Sequence, residues 1–282
     1  MCRNLLRRLI TVPTAFFFIY IAAMIKRVPL TPQTGSTIYE NLTRRYSCSL
    51  ALFFILLLTP LVTSFAGIPV KTVAHYKVSS MGLSIGDVVT TQRMTEEGGV
   101  SSAHFETRTS VRASFLWLGY QLSSTEQGTL LNGSLVSYSH KGEENGIAVD
   151  IEGRLENAAF RFDVREQGVA RTVVIPRNSY DYTTMECPEA RLNFSGKTGV
   201  TLRILDVEKM AVVKREYRLV RNEQYTVAGK EYPCRVIDYS DLNKKARRWI
   251  NWDGASVVMY RQDGRGEKDS YSVRATSVSK EM

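Results

Sequence analysis

Histidine and cysteine are scarce in this sequence, and so are the motifs of common catalytic sites. Its 282 residues contain three histidines, His75, His104 and His140, and none belongs to a recognisable zinc-ligand cluster. The sequence also lacks the Gly-x-Ser-x-Gly nucleophile motif and the Gly-rich loop that holds phosphates. We therefore predict a protein that is not an enzyme and that has no catalytic residue, metal site or cofactor.

Charge of one sign is concentrated in the first 66 residues. They contain seven Lys or Arg residues and one acidic residue, Glu40, for a net charge of +6. The whole chain carries +9, so residues 67–282 contribute only +3. A nucleic-acid-binding domain usually shows a basic stripe rather than charges of mixed sign. We do not expect nucleic acid as a partner.

Two long apolar runs mark residues 1–66 as a targeting region. The segment 44–66 resembles a secretory signal peptide, with Arg44 and Arg45 before the apolar run and small residues at Ser64-Phe65-Ala66. Cleavage there would give a mature protein that starts at Gly67. The alternative is an uncleaved anchor that contacts the membrane through this segment. Both interpretations predict an exported domain in the periplasm or cell envelope.

The earlier apolar run, residues 9–25, has two explanations. It is about the minimum length for a membrane span, and with the second run it could form a hairpin that keeps its basic loop in the cytoplasm. Alternatively, the residues before Met24 come from a start codon assigned too far upstream. The sequence leaves both open.

The cysteines divide between the two regions. Cys2 and Cys48 lie in the targeting region, which leaves Cys187 and Cys234 as the pair in the domain. In an oxidising compartment such a pair predicts a disulfide bond. Two separately buried thiols are the alternative.

Residues 67–282 are predicted to form one β-rich exported domain. Short alternating runs are separated by turn signals at Asn132-Gly133, Asp253-Gly254 and Asp263-Gly264. Helical signals are restricted to 178–192, which Pro188 would interrupt, and to 114–122, which is either a short helix or a strand. The predicted fold class is α+β and mainly antiparallel β: a curved sheet or half-barrel around one or two short helices.

Aromatic and basic residues suggest where a ligand would bind. The aromatic side chains are interpreted either as ordinary core or as the lining of an apolar cavity inside the curved sheet. The basic run from Lys244 to Arg248 is either a solvated edge or a contact for an anionic lipid headgroup. The candidate cavity residues are Phe115, Trp117, Tyr120, Trp249 and Trp252.

Several segments between about Val73 and Val278 resemble a family of uncharacterised exported bacterial proteins. This family is similar to the LolA/LolB-type lipoprotein carriers. The resemblance implies a half-barrel around helices, an envelope location and an apolar cavity, and it assigns no catalytic or binding residue. The segments that carry it are Tyr76-Lys77-Val78, Gly82–Gly86, Leu205–Met210, Tyr217-Arg218-Leu219, Val227–Val236, Arg248-Trp249-Ile250 and Asp253-Gly254.

The expected function is non-catalytic binding of a lipid or other hydrophobic small molecule in the cell envelope. The alternative is a structural or protein-interaction module without a ligand cavity. Such a module would bind its partner by adding a strand to an exposed sheet edge.

Overall fold

The computed structural model describes residues 69–115, 118–195, 199–242, 244–253, 256–265 and 270–281. The targeting region predicted at 1–66, with its apolar runs at 9–25 and 44–66, lies outside these residues. The side chains of Phe115 and Trp117 are outside the description as well. Among the described residues, no helix has the length and apolar character needed to cross a membrane.

The domain is a succession of β-strands because apolar and polar residues alternate along the chain. In β1, for example, Ala74, Tyr76 and Val78 are buried while His75 and Lys77 between them are exposed. The strands are β1 (Val70–Ser80), β2 (Leu83–Glu97), β3 (Val100–Phe115), β4 (Leu118–Leu131), β5 (Ser134–Glu144), β6 (Ile147–Glu156), β7 (Ala159–Glu166), β8 (Val169–Pro176), β9 (Tyr182–Thr183), β10 (Val200–Asp206), β11 (Ala211–Val227), β12 (Lys230–Ser240), β13 (Lys245–Trp252), β14 (Val257–Arg265) and β15 (Ser270–Glu281).

All fifteen strands form one open sheet in the order β8-β7-β6-β5-β4-β3-β2-β1-β15-β14-β13-β12-β11-β10-β9. Neighbours are antiparallel except for the short β9–β10 pair. Phe160 and Phe162 in β7 share one hydrophobic core with Ile204 and Leu205 in β10, near the opposite end of the sheet. A flat sheet would separate these strands by ~58 Å at the usual strand spacing. The sheet therefore curls around a common core.

The hairpin predicted at Asn132-Gly133 is confirmed. It joins β4 to β5, and both residues have positive φ, 46° and 81°. This is the backbone of a two-residue type I′ turn, whose twist matches that of the flanking strands. Asn132 also donates its backbone N–H to the carbonyl of Ser101 at 2.8 Å, which ties the turn to β3.

The α+β prediction is wrong because helix is nearly absent from the described residues. The helix predicted at 178–192 is replaced by β9 and three 3-10 turns, Arg177–Ser179, Thr184–Glu186 and Pro188–Ala190. The left-handed backbone of Cys187, φ 41°, and the following Pro188 prevent a continuous helix. The candidate at 114–122 contributes to β3 and β4 instead.

Residues 183–190 are all buried, and we call them the plug segment. Glu186 in the plug segment accepts a hydrogen bond from the backbone N–H of Leu135 in β5 at 3.0 Å. From the other side, Arg235 in β12 donates to the carbonyl of Ala190 at 2.8 Å. The plug segment thus connects strands from the two halves of the sheet.

The turn predicted at Asp263-Gly264 is also wrong, because both residues lie inside β14. Gly264 is paired with Tyr271 across the ladder to β15. A Cβ atom at Gly264 would overlap the Tyr271 ring. The glycine therefore makes room for a side chain rather than for a turn.

We predict that Gly264→Ala destabilises the domain by about 1–3 kcal/mol, the usual cost of overpacking. The added methyl group would displace the Tyr271 ring. Urea unfolding followed by circular dichroism measures the effect. Gly119→Ala is the matched control, since a Cβ there meets nothing within 4 Å, and we expect a change within about 0.5 kcal/mol. Equal stability of the two variants would contradict the explanation for Gly264.

Candidate functional site

The candidate site is a concave patch of about 770 Å³ on the outer face of β11–β14, which we call the basic groove. The outer face is the side of the sheet that points away from the common core. Trp249 and six cationic residues line the groove together with three acidic ones. The charged residues are Arg218, Arg221, Lys245, Arg247, Arg261, Arg265, Glu216, Asp238 and Asp263.

Two irregularities in the ladders lie beside the basic groove. The β11–β12 register shifts between Leu219 and Arg221, and the β13–β14 register shifts between Trp249 and Ile250. Bulges of this kind bend a strand and increase its twist. The bending accounts for a hollow on the outer face of the sheet.

Carboxylates hold several cations of the basic groove in place. Asp238 accepts two hydrogen bonds from Arg247, at 2.6 Å and 3.0 Å, and a third from Arg218 at 3.2 Å. The hydrogen bonds from Arg247 are the main cause that lowers the pKa of Asp238 below its usual range. Arg261 is held in the same way by Asp263, at 3.0 Å.

Trp249 forms the aromatic floor of the groove. Its ring is buried, and its indole N–H donates a hydrogen bond to Glu223. The Arg261 guanidinium lies 4.4 Å from the ring centroid, in cation–π geometry. Trp249 is therefore held rigidly beneath a layer of charge.

Lys245 and Arg265 form the uncompensated part of the groove. They are direct cross-strand partners in the β13–β14 ladder, and both are exposed. Within the described part of the chain, no ion pair joins either of them to a carboxylate. Like charges directly opposite each other destabilise a sheet. The pair therefore places two positive charges side by side without a described counterion.

In a second like-charged pair of the sheet, a carboxylate lies between the two cations and offsets their repulsion. Arg154 and Arg161 are cross-strand partners in β6 and β7. Asp163 bridges them, at 3.3 Å from Arg154 and 3.0 Å from Arg161. Among the described residues, no carboxylate takes the equivalent position between Lys245 and Arg265.

The core face of the same strands is also charged. Arg215 lies 2.8 Å from Asp241 and 3.7 Å from Asp206, and Arg248 is paired with Glu189 of the plug segment. These groups are almost completely buried. The guanidiniums of Arg215 and Arg248 lie 4.8 Å and 4.6 Å from the centroid of the Tyr239 ring. Buried charge is tolerated only when it is paired in this way.

Glu126 extends this charged interior toward β4 and β5. Its carboxyl group is buried near Tyr138 and Glu208. Burial, followed by the charge of Glu208, raises the pKa of Glu126 well above its ordinary value. Lys244, which like Glu126 interacts with Glu208, is also affected by burial, which lowers its pKa to about 8. The interior beneath the groove is thus polar as well as apolar.

The structure does not bring the described members of the predicted aromatic cavity together. Tyr120 lies in the common core, whereas Trp249 belongs to a separate cluster on the outer face. Trp252, near the end of β13, is 38% exposed. Phe115 and Trp117 have no described side chains. Of the described members, only Trp249 contributes to the basic groove.

Cys187 and Cys234 are buried free thiols in the structure, so the predicted disulfide is not formed there. Cys187 belongs to the common core and Cys234 to the outer cluster. Arg235, the neighbour of Cys234, points to the plug segment that contains Cys187. Since successive side chains in a strand point to opposite faces, Cys234 points away from Cys187.

The basic run noted in the sequence is split between the two faces. Lys245 and Arg247 line the groove, whereas Arg248 is buried in the interior. Sequence reasoning missed Arg261 and Arg265 on the neighbouring strand. Arg261, Asp263 and Arg265 occupy alternate positions in the sequence. This alternation predicts that the three side chains lie on one face of a strand, and it was the signal that could have identified them.

No group of three or more His, Cys, Asp or Glu side chains among the described residues is arranged to hold a metal ion. His75, His104 and His140 lie on three different strands, β1, β3 and β5.

Comparison with known proteins supports the fold. No protein-family model matches this chain, and neither does any curated protein. Among solved structures, the chain is similar to a β-barrel-like protein of the domain of unknown function DUF1849 from Brucella abortus. The TM-score is 0.52 at 10% identity, over 76% of this chain and 98% of that one.

At this identity the comparison shows the fold alone. It supports a β-barrel-like fold, and it does not point to the LolA/LolB-type carriers in particular. The helices that the resemblance implied are replaced by the plug segment.

The raised pKa of Glu126 predicts a pH dependence of stability. The folded state keeps this proton over a range of pH in which the unfolded chain has lost it. Stability from this group is therefore greatest below its ordinary pKa of 4.5 and falls as pH rises. We predict that Glu126→Gln removes a decline of up to about 1.4 kcal/mol per pH unit.

The measurement is urea unfolding of wild type and variant at about pH 5 and about pH 6.5, below the range in which Lys244 titrates. Glu152→Gln, which removes an exposed carboxylate, is the control and should follow wild type. An unchanged decline in Glu126→Gln would show that another group causes it.

Proposed function

We propose that this protein is an exported, non-catalytic binding protein of the cell envelope. Its basic groove would hold the anionic head of an amphipathic, lipid-like molecule. The proposal keeps the lipid-binding function expected from the sequence but moves the site from an inner apolar cavity to the outer face of β11–β14.

The observation that carries the proposal is the unbridged pair formed by Lys245 and Arg265. Two exposed cations on adjacent strands can donate charge-assisted hydrogen bonds to one phosphate or carboxylate group. Arg247 lies on the same face of β13 as Lys245. A bound anion would offset the repulsion between Lys245 and Arg265, whereas a neutral ligand would not. The binding free energy therefore favours an anionic ligand over a neutral one.

The apolar part of the ligand has contacts available nearby. Trp249 lies four residues beyond Lys245 on the same face. Its side chain is 5% exposed. An alkyl chain attached to an anion held at Lys245 could extend along the groove to the exposed edge of the Trp249 ring.

The interior gives a reason to place the ligand outside. Beneath the groove, the core face carries paired Arg215 and Arg248. An acyl chain inserted there would separate buried ion pairs and leave charges without partners, which is costly.

An envelope location is supported by the signal-like segment at 44–66. Its basic residues, apolar run and small residues are arranged as in a secretory signal.

Protein interaction by strand addition is the second candidate function. The terminal strand β8 has no ladder partner on its far side among the residues described, and Val169 and Val174 on it are exposed. An extended segment of a partner could pair with this edge.

We predict that Lys245→Gln/Arg265→Gln weakens binding of dodecyl phosphate about tenfold or more, because two charge-assisted hydrogen bonds are lost. Isothermal titration calorimetry of the purified domain, with ligand below its micelle concentration, measures the affinity. Wild-type affinity should also fall as salt is added. Dodecyl maltoside, which has the same chain and an uncharged head, should bind weakly to both proteins.

The charge-matched control is Lys141→Gln/Arg171→Gln, which removes two exposed cations from β5 and β8. It should bind dodecyl phosphate as wild type does. Equal binding by the groove variant, or no binding by wild type, would contradict the proposal and favour the strand-addition function.

A further inference from the structure

Three apolar side chains protrude at one end of the sheet beside the basic groove. Met81 lies in the turn between β1 and β2, Leu83 begins β2, and Leu242 lies in the connection between β12 and β13. Their exposed fractions are 70%, 66% and 100%. Side chains this exposed contribute nothing to the core of the domain, so their apolar character is unexplained by folding.

The ladder registers show that these residues lie at the same height. The pairs Ser80–Tyr271, Tyr271–Gly264, Gly264–Ala246 and Ala246–Tyr239 form one row across five strands. Met81 follows Ser80 directly, and Leu242 lies three residues beyond Tyr239. With the usual strand spacing, the row is ~19 Å long from β1 to β12.

The unbridged cations lie in the next row toward the same end. Lys245 follows the connection that contains Leu242, and it is paired with Arg265. The row of Lys245 and Arg265 is therefore level with Met81. Apolar tips and cations are combined along one edge of the molecule.

This combination fits the surface of a bilayer. Apolar side chains at the tips of turns can enter the boundary between headgroups and acyl chains, while cations just above them contact anionic headgroups. A protein partner would need a continuous patch, whereas the tips are spread along an edge. The distance between the apolar side chains fits an extended, fluid, negatively charged surface.

We propose that this end of the domain, with Met81, Leu83 and Leu242 at its tips, docks on a bilayer that contains anionic lipids. The inference rests on the proposed function, since it identifies the bilayer as the source of the anionic head held by Lys245 and Arg265. It adds a surface that the groove alone does not require. The domain would take its ligand from the membrane.

The test uses the purified domain and flotation with two kinds of vesicle, phosphatidylcholine alone and phosphatidylcholine mixed with phosphatidylglycerol. We predict that the mixed vesicles bind wild type more tightly. Met81→Asn/Leu242→Asn should bind mixed vesicles about tenfold more weakly, because two apolar side chains no longer enter the bilayer. Asparagine is suitable at Met81, whose φ is 49°, since it tolerates this backbone.

Val100→Asn/Leu131→Asn is the matched control, because these partly exposed residues adjoin the turns at the opposite end of the strands. It should float as wild type does. Equal flotation of the Met81→Asn/Leu242→Asn protein, or absence of wild type from mixed vesicles, would overturn the docking surface.

Titration with monomeric dodecyl phosphate separates the two proposals. The Met81→Asn/Leu242→Asn protein should retain wild-type affinity for it, which places the loss at the bilayer contact rather than at the groove. Flotation that depends on Met81 and Leu242 without any binding of dodecyl phosphate would support docking and contradict the proposed function. A loss of both activities in this variant would contradict docking as a separate contact.

Discussion

The curled sheet depends on buried polar contacts between its strands and the plug segment. Arg248 is paired with Glu189, Arg235 donates to the carbonyl of Ala190, and Glu186 accepts from the backbone of Leu135. These contacts connect β12 and β13 with β5, which lie far apart in the order of the sheet. Loss of one partner from a buried pair costs about 3–5 kcal/mol. The arrangement therefore specifies how the open sheet closes around its core.

The same contacts determine which face is available for a ligand. Because side chains alternate along a strand, a basic run is divided between the interior and the surface. Arg248 forms an ion pair with Glu189 of the plug segment, whereas the side chains of Lys245 and Arg247 lie on the outer face. An interior with paired charges is poorly suited to an acyl chain. The outer face has bulges, a buried indole and cations in excess of carboxylates, and it is the face on which we propose that a ligand binds.

Much of the fold could be predicted from the sequence because a two-residue period and turn residues are local signals. Asn132-Gly133 is one such case, and most strands follow alternating runs. Local signals gave wrong predictions where contacts between residues far apart in the sequence determine the structure. The segment 178–192 was predicted as a helix, yet its residues 183–190 are buried in the core as β9 and short 3-10 turns. Asp263-Gly264 resembles a turn, but its glycine accommodates Tyr271 from another strand.

The candidate site was predictable only in part for the same reason. Trp249 and the neighbouring basic run stood out in the sequence, but Arg265 became part of the site through the β13–β14 register. Of the residues predicted to line an aromatic cavity, Tyr120 and Trp249 lie in different clusters. In the structure Cys187 and Cys234 are free thiols in different clusters, and one-dimensional spacing does not reveal which face of a strand a side chain occupies.

The central claim is that an anionic amphiphile binds to the outer face of β11–β14 and not inside the sheet. A titration of the isotope-labelled domain with dodecyl phosphate, followed by ¹H–¹⁵N nuclear magnetic resonance, tests this directly. We predict that the backbone amides of Lys245 and Arg265 and the indole N–H of Trp249 shift together and saturate at the same ligand concentration. Shifts centred on core residues such as Tyr138, Phe162 and Met185, with the groove unchanged, would contradict it.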